Sequence, residues 1–174
     1  NVITSSGPGD LFTVRNIGNL VPAGTDSSVA AAVEFAVGSL RVREIVVCGH
    51  SLCGAMKALV SGPPAGAPAL SSWLRHALPS LDRMRTGPPV TLDGRLPDAE
   101  GDRLALHNVL VQLDRLRAHP PVARASGLGE VRLIGMYFDV AAARVYLYDE
   151  ATNDFRPASL HSGHRIGRPA DPVT

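Results

Sequence analysis

Apolar residues recur along this chain with two different periods, and the switches between them outline its elements. Behind Gly7-Pro8-Gly9, the residues Asp10 to Arg15 mix apolar and β-branched types and read as a strand, broken by Asn16-Ile17-Gly18-Asn19. From Asp26 the period lengthens. Val29, Ala32, Val33, Ala36, Val37 and Leu40 fall on one helical face, with Asp26, Ser27 and Ser28 available as N-caps and Gly38 near the finish. Glu44 to Cys48 is a continuous apolar run of the kind buried on both faces of a parallel sheet. Gly49 to Gly54 turns the chain, and Ala55 to Val60 is helical in pattern.

Ser61 to Pro68, with three prolines and two glycines, is a loop. Leu70, Trp73, Leu74, Ala77, Leu78 and Leu81 predict a helix from Leu70 to Met84, kinked or interrupted at Pro79. Thr86 to Asp102 is a second connection. Leu106, Val109, Leu110, Leu113 and Leu116 then predict a helix from Arg103 to Arg117, closed by Pro120-Pro121. Val131 to Phe138 and Arg144 to Tyr148 are strands, and the link between them is too short for a crossover helix, so they pair antiparallel. The order predicts an α/β fold: a mainly parallel central sheet flanked by helices, with a final antiparallel strand. Residues 1–155 form the expected domain and 156–174 a polar tail.

Composition narrows the functional classes. The chain has 174 residues, 45% of them hydrophobic and 19% charged, which suits one packed core rather than a disordered segment. Seventeen basic residues against sixteen acidic ones give a formal charge of +1, without the basic excess of a nucleic-acid binder. No apolar run approaches the roughly 18–20 residues that cross a bilayer, and Asn1-Val2-Ile3-Thr4 carries no secretory signal pattern. The expected location is cytoplasmic. The two cysteines, Cys48 and Cys53, are too close in sequence for a useful disulfide, so a thiol or metal role is the better expectation.

Chemistry concentrates in Ile45 to Gly54. His50 and Cys53 lie three apart, just past the C-terminal end of a buried strand, where open α/β sheets place their ligands. Imidazole and thiolate both suit Zn²⁺, and this spacing lets both face one point. The following helix N-terminus favours the thiolate form of Cys53. Two ligands do not make a site, so a buried cysteine in a tight turn beside an incidental histidine stays open at this point. A nucleophile elbow is a further reading, since Gly49-His50-Ser51-Leu52 begins one. Its fifth position is Cys53 instead of glycine, and Asp139, Asp149, His161 and His164 would have to supply the acid and base.

Val47 to Met56 resembles the His-x-x-Cys zinc motif of the β-class carbonic anhydrases. Gly9 to Asn19 is similar to that family's Asp-x-Phe-x-x-Arg-Asn-x-Gly-Asn segment, and Ser28-Val29 with Glu34 to Val37 to its following helix. Asn108-Val109, Gly135 to Asp139 and Val145 to Asp149 fall in the family's order, so the resemblance spans about residues 7–155. It implies zinc-dependent, reversible hydration of carbon dioxide to bicarbonate, with His50 and Cys53 as metal ligands. The Gly54 N–H would serve an anionic substrate or product, and Arg15 and Asn16 would lie at the edge of the site or at an interface. It also implies a homo-oligomer, dimeric or higher. Cys48 matches no ligand position and is expected to be a buried strand residue; His76, His107 and His119 are expected to be surface or core residues.

One part of the family pattern is missing. Its upstream Cys-x-Asp-x-Arg motif supplies the third zinc ligand and an Asp–Arg pair, on a strand expected inside the sheet between residues 10–15 and 44–48. Two protein ligands fall short of the three plus water of a catalytic zinc site. The sequence is therefore expected to begin downstream of the true domain start. An alternative keeps the chain as it stands: a metal-free, carbonic-anhydrase-like module for assembly or regulation, of the kind appended to bacterial sulfate-permease-type transporters.

Overall fold

The computed structural model describes residues 6–25 and 27–158. Residues 1–5, Asp26, and all of the expected tail after its first three residues, His161 and His164 included, lie outside the described residues. The described residues form six α-helices and five strands. Helix α1 (Ser28–Gly38) leads into strand β1 (Glu44–His50) and helix α2 (Gly54–Ser61). After α3 (Pro68–Leu74), a single 3₁₀ turn (Arg75–Ala77) joins α4 (Leu78–Thr86), and β2 (Thr91–Leu92) follows. Then come α5 (Glu100–Ala118), α6 (Pro120–Gly127), β3 (Arg132–Asp139), β4 (Arg144–Asp149) and β5 (Asp154–Pro157).

The strands form one sheet in the order β1-β3-β4-β5-β2. It is mixed: β1 with β3 and β2 with β5 are parallel, whereas β3 with β4 and β4 with β5 are antiparallel. The β3–β4 pairing is the one that the short Asp139–Ala143 link requires. Among the described residues β1 pairs on one side only. Its other edge is open, and Val46 there is about half exposed.

Ser27, of the three candidate caps, opens α1: its extended backbone lets Oγ accept from the Ala30 N–H at 3.0 Å. Helix α5 is the spine of the core. Leu104, Leu106, Val109, Leu110 and Leu113 are all essentially buried, and the helix lies against β1, β3, α2, α4 and α6. Two glycines permit its approach to the sheet. A Cβ on Gly49 would stand 2.8 Å from Val109 Cγ2, and one on Gly135 would meet Tyr148 Cβ at 3.0 Å and Leu113 Cδ1 at 3.1 Å.

Several sequence expectations are corrected. Residues 10–15 form no strand; Phe12 and Val14 are about half exposed, and the following segment is held by side chains instead of a ladder. Asn16 closes a turn on Leu20, accepting from its N–H at 2.8 Å and donating to its carbonyl at 2.9 Å. Trp73 Nε1 donates to the Ile17 carbonyl at 2.7 Å, Asn108 Nδ2 to Gly18 O at 2.9 Å, and Arg115 to Val21 O at 2.7 Å. The Val21 N–H donates to Gln112 Oε1 at 2.8 Å. The single helix expected over 70–84 is two helices with a 3₁₀ turn between them. Pro79 sits in the first turn of α4, where its missing N–H costs nothing. Pro120-Pro121 likewise starts α6 as well as ending α5. The connection 86–102 contains β2 and the start of α5. The polar tail loses its first residues to β5, in which Asp154 and Phe155 are buried.

His107 and His119 are core residues, 3% and 6% exposed, whereas His76 stands edge-on to the Trp73 ring. Burial, and secondarily the Arg83 guanidinium, lowers the His107 pKa to about 4. Folding thus favours its neutral form, and between pH 6.5 and about 4 the unfolded chain takes up a proton that the native state refuses. Stability is expected to fall across that window by about 3 kcal/mol from this residue. Urea midpoints at pH 7.5 and 4.5 test this: His107→Gln should lose less stability on acidification than the parent. Equal losses would remove His107 as the cause.

Candidate metal centre

The end of β1 delivers His50 and the start of α2 delivers Cys53, so the two expected ligands flank a two-residue corner between strand and helix. His50 Nδ1 lies 2.8 Å from the Ser51 carbonyl oxygen. A carbonyl only accepts, so Nδ1 carries the proton and the Nε2 lone pair is left for a metal. Cys53 is the N-cap of α2, with extended φ/ψ of −65° and 115°, and is 7% exposed. It forms no disulfide, and its thiol is free.

Ser51 and Leu52 pin the corner from behind. The Ser51 N–H donates to the Phe138 carbonyl at 3.0 Å, and its buried Oγ accepts from the Val140 N–H at 2.8 Å. The Leu52 N–H donates to Asp102 Oδ1, in the first turn of α5, at 2.8 Å. Leu52 has φ +58°, a left-handed conformation that costs a leucine roughly 1–2 kcal/mol. Its side chain is 74% exposed, so packing does not offset that strain. Tyr137, paired in register with Gly49 and 1% exposed, stands beneath the corner. Its hydroxyl is held far above the ordinary phenol range, first by burial and then by Asp102, Asp139 and Cys53.

One imidazole with its distal nitrogen free and one buried thiol with no bonded partner are borderline-soft donors that zinc accepts. They fit as two ligands. Among the described residues no group of three His, Cys, Asp or Glu side chains gathers, so a third protein ligand is not found there. Cys48 is half-buried on β1, its Sγ donating to the Gly49 carbonyl and its pKa raised by burial, as a strand residue rather than a ligand.

The other expected residues divide. Gly54 opens α2 with unfilled space around its α-carbon. Asn16 serves the Leu20 turn, and Arg15 is exposed, with no hydrogen bond or ion pair among the described residues. The nucleophile-elbow reading finds no support: Ser51 Oγ is buried on Val140. Asp139 caps the Ala141 and Ala142 N–H groups, while Asp149 binds Ala151 and Thr152. Asp102 escaped the sequence reading because its partner lies 50 residues away and its position read as the end of a loop.

The sequence profile of the carbonic anhydrase family matches residues 1–145. A carbonic anhydrase of Pseudomonas aeruginosa is 38% identical over 177 residues, an alignment covering 99% of this chain and 78% of that protein. Carbonic anhydrase 1 of Escherichia coli O157:H7 is 40% identical across 85% of this chain and 67% of its own length. Among solved structures, the β-carbonic anhydrase CcaA superposes with a TM-score of 0.79 at 30% identity, covering 91% of this chain and 77% of that one. A β-carbonic anhydrase from Sordaria macrospora, described as tetrameric, gives 0.71 at 29% identity over 84% and 72%. With sequence, strand-to-helix corner and overall fold in agreement, the chain belongs to the β-class carbonic anhydrase family.

Proposed function

We propose that the protein catalyses reversible hydration of carbon dioxide to bicarbonate at a zinc ion held in part by His50 and Cys53. The observation that carries the reading is the corner itself. In a chain of this family, an imidazole locked in the Nδ1–H tautomer and a buried thiol at a helix N-terminus flank two pinned residues. Bound zinc supplies a Lewis acid that makes water nucleophilic near neutral pH. The chain's own residues supply position. The Ser51 carbonyl fixes the His50 ring, and the start of α2 places Cys53 three residues on. The Gly54 N–H, one of the unpaired donors in the first turn of α2, would hold a bicarbonate oxygen.

A homo-oligomer belongs to the same proposal. The Phe12 and Phe35 rings meet at a tilt, 5.8 Å between centroids, and stay about half exposed, as do Val14 and Val46, which suits cover by a second copy. Two unpaired thiols support a cytoplasmic setting, and no helix among the described residues is long and apolar enough to cross a membrane.

Metal analysis of the purified protein together with stopped-flow CO₂ hydration tests the reading. Near-stoichiometric zinc is expected, with hydration lost on chelation and restored by added Zn²⁺. A protein that neither holds zinc nor hydrates CO₂ would instead be the metal-free module.

A further inference from the structure

We infer that Asp102 is a positioning residue for the metal-binding corner, its carboxylate fixing the Leu52 N–H and thereby the spacing of His50 and Cys53. The inference rests on the zinc reading above and on four observations independent of it. Asp102 Oδ1 accepts from the Leu52 N–H at 2.8 Å, the bond that joins α5 to the two residues between the ligands. Leu52 is held in the left-handed region at φ +58° although it is neither glycine nor asparagine. Its side chain is 74% exposed and gives nothing back for that conformation. The neighbouring Ser51 is already fixed to the end of β3 and to Val140 through its own N–H and Oγ, so Leu52 is where the corner would relax.

Without the carboxylate, Leu52 is free to return to a right-handed or extended conformation. Its peptide units would rotate, and the Cys53 end of the corner would shift relative to His50. A ligand pair whose geometry is set in the apo protein binds metal more tightly than one that must be reassembled. Asp102 also lies in the first turn of α5 beside Glu100, where any carboxylate interacts favourably with the helix dipole. That general contribution has to be separated from the bond to Leu52.

Three variants of the full chain make the separation: Asp102→Ala, Asp102→Asn, which keeps an acceptor oxygen, and Glu100→Gln, which removes a first-turn carboxylate with no bond to the corner. Two quantities are read, Zn²⁺ affinity by chelator competition and the hydrogen-exchange rate of the Leu52 amide. Asp102→Ala should weaken zinc binding by about 10- to 100-fold and speed Leu52 exchange by at least about tenfold. Asp102→Asn should recover most of both, and Glu100→Gln should change neither. Unchanged affinity and exchange in Asp102→Ala overturn the inference, as does an equal loss in Glu100→Gln. If the parent protein takes up no zinc, the metal reading fails by itself, and Leu52 exchange alone decides whether Asp102 holds the corner.

Discussion

Cys53→Ser is expected to strip zinc from the protein and to lower kcat/KM for CO₂ hydration by at least about 10³-fold, roughly 4 kcal/mol of transition-state stabilisation. His50→Ala should do the same. Serine is nearly the size of cysteine, so the 7%-exposed site keeps its shape while the soft thiolate donor is gone. Either variant leaves a single donor from the corner, too few to retain the metal against a chelator. Cys48→Ser is the matched control. It lies on the same strand–turn unit, but its thiol donates to its neighbour's carbonyl, a role that a hydroxyl can fill. Zinc content, hydration rate and melting temperature measured on all three decide the matter. Full activity in Cys53→Ser, or its loss in Cys48→Ser, would reject the ligand assignment.

The largest effect on stability is expected at Asn108. Its side chain, fully buried, is the hub of a polar network: Oδ1 accepts from Ser80 Oγ and from Gln112 Nε2, both at 2.9 Å, and Nδ2 donates to Gly18 O. Asn108→Leu conserves volume but orphans three groups at once. Leaving one buried polar group unpaired costs about 1–3 kcal/mol, and the three together should cost about 3–5 kcal/mol. For a chain of this length that lowers Tm by about 10 °C. Differential scanning calorimetry reads it, and a shift under 3 °C would mean that water replaces the lost partners. Gln112 should be nearly as sensitive, because it bridges Asn108 to the Val21 N–H, and the two losses should not add.

What the sequence made legible, and what it did not, follows from the range of the interactions. Helix α1, strand β1, helix α2, helix α5 and the antiparallel β3–β4 pair were readable because periodicity, caps and link length are local. That His50 and Cys53 flank one strand-to-helix corner was readable for the same reason, their spacing being local. Residues 10–15 were misread because their β-like composition has no neighbouring strand, and the bonds holding the stretch after them come from Trp73, Asn108, Gln112 and Arg115. Those donors and acceptors lie 56 to 94 residues away, beyond any window. Strand β5 was lost to the tail because its pairing depends on β4 and on a buried Asp154 that accepts from Thr91 Oγ1 and the Gly94 N–H. Ser51 was weighed only as a nucleophile, and its service to Val140 became visible only in three dimensions.

Helix α5 finally acts as a ruler. Along its 19 residues, Asp102 bonds the His50–Cys53 corner, Ala105 and Val109 meet β1 at Gly49, and Asn108 and Gln112 grip the segment after Arg15. These grips share one face about 120° wide, set by the roughly 100° that each residue adds to the helical turn. Inserting or deleting one residue between Asp102 and Asn108 would rotate one set of partners against the other. The His50–Cys53 corner and the Arg15–Val21 segment can therefore change independently in composition but not in spacing.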